Sequence, residues 1–159
     1  MRKLPDFLVI GVQKGGTRFL YHCLSQHPGI TLPFDKEVHF FDRDFKKGIN
    51  WYKAFFPLKL FSKSKIAGEI TPRYIMNPDA PERSHTVLPN ARIIVLLRDP
   101  IERAHSHFQM TRRVYELEMD FQEFVHKAIN QDLGQIEKKE IRNQLYNAIP
   151  KMALDLKFV

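Results

Sequence analysis

The sequence has only one cysteine, Cys23, among its 159 residues. A single thiol cannot close an internal disulfide, so a disulfide-stabilised secreted scaffold is excluded. Long apolar runs are also missing, and no stretch has the roughly 20 apolar residues that a membrane-spanning helix needs. Met1 leads almost directly into an apolar segment, without the basic and apolar leader of a secretory signal. We therefore expect a cytoplasmic protein or a soluble fragment of a longer protein, with no membrane segment in this chain.

Acidic residues are in the minority, because 18 Asp and Glu stand against 25 Lys and Arg, for a formal net charge of +7. A basic balance favours an anionic partner such as a phosphorylated cofactor, an acidic polysaccharide or a nucleic acid. The chain shows no zinc-ligand spacing, helix–turn–helix pattern or aromatic signature of RNA recognition. We therefore expect neither a nucleic-acid partner nor a bound metal.

Apolar, β-branched stretches alternate with amphipathic stretches along the chain. The clearest strand covers residues 91–97, and its continuous apolar run predicts a central parallel strand covered on both faces. This alternation predicts an α/β, P-loop-like three-layer fold, in which helices flank a central parallel sheet, in a single domain over residues 1–159. The expected helices in the second half cover residues 80–88, 100–113, 121–130 and 135–147.

The segment from Phe7 to Ile30 carries the strongest local signal. An apolar strand breaks at Gly11, a loop with Lys14 and two glycines follows, and Thr17 opens an amphipathic helix. Such a junction presents backbone N–H groups and the positive end of a helix dipole to one point, which suits phosphate or sulfate. Cys23 lies on the apolar side of this helix and is expected to be a small buried side chain.

The order of residues separates this loop from nucleotide triphosphatases. Walker A loops place their lysine after the glycines, as GxxxxGK[ST]. Here Lys14 precedes Gly15 and Gly16. A P-loop kinase or triphosphatase is therefore the less favoured alternative, and no predicted strand ends in a clear carboxylate for Mg²⁺.

Two further segments carry candidate chemistry. Arg98 closes the strand at 91–97, so it should share a sheet edge with Lys14, and a guanidinium suits phosphate. The alternative is a surface pair of Arg98 with a neighbouring carboxylate. In the sequence KEVHFFD, Glu37 is able to take a proton from an acceptor, or simply forms a solvated pair with Lys36; His39 alone would more often be a structural histidine.

Together these segments resemble the sulfotransferases that use 3′-phosphoadenosine 5′-phosphosulfate (PAPS), most closely the branch that sulfates heparan-type polysaccharides. GVQKGGTRFL is similar to that family's 5′-phosphosulfate-binding loop, and RIIVLLRDPIERAHSHF to its 3′-phosphate segment. KEVHFFD resembles the catalytic segment of the heparan branch. The resemblance implies an enzyme that moves a sulfuryl group from PAPS to a hydroxyl or amine, with a carbohydrate as the expected acceptor.

The resemblance also implies residue roles. Lys14 would stabilise the departing phosphate, and Glu37 would be the general base, with His39 as a further catalytic residue. The nucleotide would be bound by the lysine loop and by two residues further along the chain: Lys14, Gly15, Gly16, Thr17, Arg18, Arg98 and Ser106. The acceptor would contact Lys36, Asp42 and Arg73.

The chain departs from the family pattern in two places. GEITPRY carries Ile70 where the heparan enzymes usually have a substrate-facing lysine, and Arg73 is the candidate that replaces this charge. Nothing after Arg113 matches the glycine-rich basic loop that closes over the nucleotide in the family. A C-terminal truncation of the fold is therefore considered, and so is a non-catalytic remnant that binds nucleotide or acidic glycan without turnover.

Overall fold

The structure is a computed structural model that describes residues 2–58 and 65–129. The chain divides into two compact units, with the boundary between Arg98 and Asp99. The single domain expected from the sequence stays a prediction, and the helix expected at residues 135–147 lies outside the described residues.

The first unit is built on a four-stranded sheet in the order β2–β3–β1–β4. All pairings are parallel, and β1 lies between β3 and β4, with Leu8 opposite Glu69 on one side and Ile93 on the other. This confirms the predicted α/β fold with a parallel sheet. The strands are β1 (Phe7–Gly11), β2 (Ile30–Thr31), β3 (Ile66–Ile70) and β4 (Arg92–Leu96).

Helices connect these strands, as the alternating pattern predicts. The connections also contain a π-helical turn at Phe40–Asp44 and short 3₁₀ helices at Phe45–Lys47 and Pro72–Met76. Pro81 is accommodated in the first turn of its helix, where a missing N–H costs no hydrogen bond. The α-helices of the first unit are α1 (Thr17–Ser25), α2 (Ile49–Ala54) and α3 (Ala80–Val87).

The two faces of β1 enter different apolar clusters, because successive side chains of a strand point to opposite faces. Phe7 and Val9 pack with Ile70 and with the side chains of α1. Leu8 lies in the second cluster, which takes its side chains mainly from the π turn, α2, the 3₁₀ helix at Pro72–Met76 and α3. The sheet of the first unit therefore has helical layers on both faces, as predicted. The large buried side chains of the second cluster are Phe40, Phe41, Tyr52, Phe56 and Tyr74.

The prediction that Cys23 is buried was wrong, since this thiol is exposed. The face of α1 that packs against β1 carries Leu20, Tyr21 and Leu24. Phe19 and Cys23 are four residues apart and therefore share the other side of the helix, where the Phe19 side chain is 75% exposed. Each side of α1 carries apolar or aromatic residues, so the sequence of the helix did not identify which side packs against the sheet.

The prediction that β4 is covered on both faces was also wrong for the described residues. β4 pairs with β1 and is the last strand of the described sheet, and Ile93 and Val95 are about half exposed, at 51% and 46%. A continuous apolar run shows that a strand is suited to burial on both faces, but it does not show that cover is present.

The described part of the second unit contains two helices, α4 (Pro100–Tyr115) and α5 (Phe121–Ile129). Asp99 caps α4, because its carboxylate accepts hydrogen bonds from the N–H groups of Ile101 and Glu102 at 3.0 Å. Phe108 and Phe124 join the two helices, with ring centroids 5.1 Å apart. No helix in the two described stretches is long and apolar enough to cross a bilayer.

Candidate active site

The loop between β1 and α1 has the geometry of an anion site. Lys14 and Gly16 have positive φ angles of 70° and 92°, and the Gly15 N–H donates to the carbonyl of Val12 at 3.0 Å. Gly16 is the N-cap residue of α1 and brings no capping side chain. The first-turn N–H groups of any helix lack partners within the helix. The loop therefore presents backbone donors together with the positive end of the α1 dipole.

Space is available above this helix terminus. A Cβ built on Gly16 would meet no heavy atom within 4 Å. Thr17 is buried, whereas Arg18 is exposed on the first turn of α1. The clearance at Gly16 and the N–H groups of the first turn suit the approach of a phosphate or sulfate group.

Arg98 lies directly beside the lysine loop. Its Nη1 donates to the carbonyl oxygen of Lys14 at 3.2 Å. This contact follows from the sheet, because Gly11 pairs with Leu96 and the Val12 N–H donates to the Leu96 carbonyl at 3.0 Å. The sequence prediction that the ends of these two strands share one edge is therefore confirmed.

Ser106 is half-buried in the first half of α4, within the second unit. Its expected place next to Arg98 stays a prediction.

A second group of charged residues forms a continuous array on the segment from Lys36 to Asp42. Lys36 Nζ lies 2.5 Å from Glu37 Oε1, and the other Glu37 oxygen, Oε2, lies 3.4 Å from His39 Nε2. The second ring nitrogen of His39, Nδ1, lies 2.9 Å from Asp42 Oδ2. The imidazole is thus held between two carboxylates, and one of these also binds an ammonium.

The backbone of this segment is unusual at the residues that carry the chemistry. Glu37 and His39 have φ angles of 68° and 57°, in the left-handed region that side chains other than glycine rarely adopt. The π turn Phe40–Asp44 follows at once, with His39 as its N-cap residue. Strained φ values and π turns are both frequent at functional sites.

The array shifts the pKa of each member. Hydrogen bonding to His39 lowers the pKa of Glu37 to about 2, against the effect of burial and with help from Lys36. Burial alone lowers the pKa of His39, but hydrogen bonds to Asp42 and Glu37 outweigh burial and raise it. Burial raises the pKa of Asp42, and the hydrogen bond from His39 reverses this and lowers it. The array therefore favours a protonated imidazole between two carboxylates.

We expect His39 to titrate above the ordinary histidine value of 6.5, and an NMR titration of the imidazole signals measures this directly. The Glu37→Gln variant should bring the midpoint down, because one carboxylate partner is lost. The raised pKa of His39 adds stability that is complete below pH 6.5 and is lost as the pH rises through the folded-state value. The lowered pKa of Glu37 adds stability above pH 4.5 that is lost as the pH falls towards about 2.

Chemical denaturation should therefore show the largest contribution of His39 and Glu37 to the free energy of unfolding between about pH 4.5 and 6.5. Asp44→Asn is the control, since Asp44 contacts the exposed Lys47 at 2.9 Å and belongs to no part of the array. A wild-type midpoint for His39 at or below 6.5 would contradict this electrostatic description.

Sequence reasoning missed a fully buried carboxylate behind this array. Glu69, on β3, is 0% exposed and accepts hydrogen bonds from the hydroxyl groups of Thr71 and Tyr74 at 2.7 and 2.6 Å, and from that of Tyr52. Burial raises the pKa of Glu69, although these donors oppose the shift. The GEITPRY motif contains three of these four residues, but its letters alone do not show which side chains turn inward.

Ile70 and Arg73 of the GEITPRY motif lie in different environments, one in the core and one at the surface. Ile70 is 1% exposed and packs with Phe7 and Val9, so this position faces the core. Arg73 is exposed on the 3₁₀ helix that follows β3. A role for Arg73 in binding the acceptor stays a prediction.

The sequence matches the family model described as the sulfotransferase domain over residues 4–139. It is 39% identical over 131 residues to the membrane-associated sulfotransferase kil1 of Dictyostelium discoideum. This alignment covers 78% of this chain and 28% of that protein. It is also 39% identical over 110 residues to heparan sulfate glucosamine 3-O-sulfotransferase 6 of Homo sapiens. This alignment covers 69% of this chain and 31% of that protein. The chain thus spans about three tenths of the length of these two relatives.

A solved structure shows the same fold. The crystal structure of a sulfotransferase from Alicyclobacillus acidocaldarius aligns with a TM-score of 0.68 and 28% sequence identity. The alignment covers 80% of this chain and 58% of the solved chain. The family match, the sequence relatives and the fold agree with the resemblance that the sequence motifs predicted. The chain belongs to the sulfotransferase domain family.

Proposed function

We propose that this chain binds PAPS and transfers its sulfuryl group to a hydroxyl or amine of a carbohydrate acceptor. The observation that carries the proposal is the contact between Arg98 and the lysine loop at the carboxyl ends of β1 and β4. Ligands of open parallel sheets bind at this edge. The contact brings two cationic residues, distant in sequence, to one place, and this supports binding of a doubly phosphorylated nucleotide there.

The residues of the loop suit the nucleotide. The N–H groups of the first turn of α1 and the Lys14 ammonium would hold the 5′-phosphosulfate, with Gly15 and Gly16 allowing close approach. Arg18 and the Thr17 hydroxyl add donors on the same turn. Arg98 would bind the 3′-phosphate through its fork of N–H groups, and Ser106 would add a hydroxyl.

PAPS supplies an activated sulfuryl group: its sulfur–oxygen bond to the 5′-phosphate breaks as a bond from sulfur to the acceptor oxygen or nitrogen forms. Lys14 would stabilise the negative charge that gathers on the departing phosphate. Glu37 would take the proton that the acceptor gives up. His39 and Asp42 would hold the Glu37 carboxylate in place.

The low pKa of Glu37 bears on how it would act as a base. With a pKa of about 2 the carboxylate is ionised and able to accept a proton, but it is weakly basic. A base works best with a pKa near the working pH. The hydrogen bond from His39 is the largest cause of the lowering and Lys36 is a further one. Movement of the Lys36 ammonium towards the anionic sulfuryl group or acceptor would therefore raise the basicity of Glu37 during the reaction.

The acceptor is inferred from relatives and from charge. Several of the similar proteins carry heparan sulfate in their names, among them the human 3-O-sulfotransferase 6 and the bifunctional heparan sulfate N-deacetylase/N-sulfotransferase 4 of Mus musculus, 44% identical over 115 residues. The net charge of +7 suits an acidic polysaccharide. Lys36, Asp42 and Arg73 are the proposed acceptor contacts. A cytoplasmic location stays a prediction.

The direct test is sulfuryl transfer from labelled PAPS to a panel of glycans, paired with calorimetric titration of 3′-phosphoadenosine 5′-phosphate and of ATP. Transfer together with preference for the 3′-phosphorylated nucleotide supports the proposal. Nucleotide binding without transfer favours a non-catalytic remnant of the fold. Neither binding nor transfer by the folded chain refutes the assignment.

We expect Arg98→Ala to weaken binding of 3′-phosphoadenosine 5′-phosphate by about 10- to 100-fold, since a charge-assisted hydrogen bond contributes roughly 1.5–3 kcal/mol. Titration calorimetry measures the change. Arg92→Ala is the matched control, because Arg92 is an exposed arginine at the first residue of β4, whereas Arg98 follows the other end of this strand. Equal weakening by both variants would indicate a general effect of net charge and would contradict the assignment of Arg98.

A further inference from the structure

Three consecutive residues of the π turn have a backbone group held by a side chain from further along the chain. The N–H of Phe40 donates to Tyr74 Oη at 2.9 Å. Arg83 Nη1 donates to the carbonyl of Phe41 at 2.9 Å, and Asn77 Nδ2 to the carbonyl of Asp42 at 3.3 Å. We call Tyr74, Asn77 and Arg83 the backbone clamp.

The Tyr74 contact lies deepest in the protein and is set by Glu69. The Tyr74 hydroxyl donates a hydrogen bond to Glu69 Oε1 at 2.6 Å, and its oxygen accepts a hydrogen bond from the Phe40 N–H. Tyr74 is 4% exposed and Glu69 is 0% exposed. A tyrosine hydroxyl has one proton to donate, so the buried carboxylate fixes the orientation in which Tyr74 acts as an acceptor.

Phe40 directly follows His39, whose φ angle of 57° lies in the left-handed region. Holding the Phe40 N–H fixes the peptide unit that joins the two residues and so limits how the imidazole is directed. A buried hydrogen bond can maintain a backbone conformation that the residue would not favour by itself. The clamp therefore lies where it controls the contacts of His39 with Glu37 and Asp42.

We propose that the backbone clamp positions the catalytic segment, with Tyr74, oriented by the buried Glu69, acting through the Phe40 backbone to hold His39 and Glu37 in their reactive arrangement. This inference rests on the proposed function. Tyr74 is a positioning residue, because its hydroxyl contacts Glu69 and the Phe40 N–H and is assigned no contact with donor or acceptor.

Tyr52 provides a matched control for Tyr74. Its hydroxyl donates to the other oxygen of the same carboxylate, Glu69 Oε2, and its side chain is equally buried. Tyr52 stacks on the Phe40 ring at 4.4 Å between centroids, a contact that phenylalanine preserves. Tyr74→Phe and Tyr52→Phe thus each remove one hydroxyl from Glu69, but only Tyr74→Phe removes the acceptor of the Phe40 N–H.

The experiment compares kinetics and the His39 titration in these two variants. We expect Tyr74→Phe to lower kcat by about 30- to 100-fold with the KM for PAPS unchanged, as for a displaced catalytic group. Tyr52→Phe should stay within about threefold of wild type, since its loss leaves the clamp intact. NMR should show the His39 midpoint falling towards its ordinary value in Tyr74→Phe only. The charged groups that act on that imidazole are Glu37, Asp42 and Arg43 on its own segment and the buried carboxylate of Glu69 on β3.

Equal losses of kcat in the two variants, or an unchanged His39 midpoint in Tyr74→Phe, would overturn the inference and leave both tyrosines as core residues. The His39 titration needs no activity, so it decides the inference even when the wild-type chain transfers no sulfuryl group, an outcome that would refute only the proposed function.

A second pair of variants covers the case in which Tyr74→Phe does not fold. Arg83→Met removes the donor to the Phe41 carbonyl at a half-buried position, while Asp79→Asn removes only the 2.6 Å ion pair between Asp79 and Arg83. A lower kcat and a lower His39 midpoint in Arg83→Met alone support the clamp. The same values in both variants overturn it.

Discussion

Changing Lys14 to methionine is expected to lower kcat for sulfuryl transfer by about 10²- to 10³-fold, the range found when one group that stabilises transition-state charge is removed. Methionine keeps the length and flexibility of the side chain and removes its charge. Charge on the phosphate oxygen grows as the bond to sulfur breaks, so the loss should be larger in kcat than in nucleotide binding. Single-turnover measurements with labelled PAPS separate the two effects.

Lys46→Met is the matched control, because Lys46 is an exposed lysine on the 3₁₀ helix at Phe45–Lys47. It removes the same charge from the chain and should leave the rate within about twofold, as for most surface changes. An equal loss in both variants would mean that the lysine loop acts only through the overall field of the protein. A Lys14→Met variant of full activity would remove Lys14 from the mechanism.

Changing Glu37 to glutamine is expected to lower kcat by about 10³-fold, within the range of 10²–10⁴ that general acid–base catalysis contributes. Glutamine has nearly the same shape but cannot accept the acceptor's proton. Its amide has one accepting oxygen, so its NH2 group must face either Lys36 or His39, each of which is itself a donor in the array; the segment should therefore loosen as well. Calorimetry with 3′-phosphoadenosine 5′-phosphate should show nucleotide binding close to wild type.

The Asp44→Asn variant tests whether any lost carboxylate on this segment has the same effect. Asp44 ends the π turn and is paired with Lys47, so its loss should change the rate by no more than about twofold. Full activity of Glu37→Gln would place the base elsewhere. His39 would be the next residue to test, because loss of the Glu37 carboxylate lowers its pKa and favours the neutral imidazole, which is able to accept a proton.

The lysine loop could be predicted because its signals are local. A β-branched run, two glycines and an amphipathic run follow each other within twenty residues, and each specifies its own backbone geometry. The contact of Arg98 with Lys14 is distant in sequence, but it follows from one general rule, that parallel strands end at the same edge.

The Glu69 network could not be predicted, because its members are joined through side chains and not through a sequence period. Tyr52 and Glu69 lie on different elements, and either could have been a surface residue by its own pattern. The predictions of which face of α1 is packed and of burial of β4 on both faces were wrong for a related reason. Periodicity identifies apolar positions, but the partner that buries them is decided by the rest of the fold.

The positive φ angles of Lys14, Glu37 and His39 have a consequence for engineering. In the described stretches the only other non-glycine residue with a positive φ is Glu116, and each such conformation costs on the order of 1–3 kcal/mol where glycine would cost little. A chain optimised for thermal resistance alone would carry glycine at these three positions and lose the groups assigned to catalysis. Variants designed for higher thermal stability should therefore keep these three residues, because glycine would stabilise the fold there and remove the side chains assigned to catalysis.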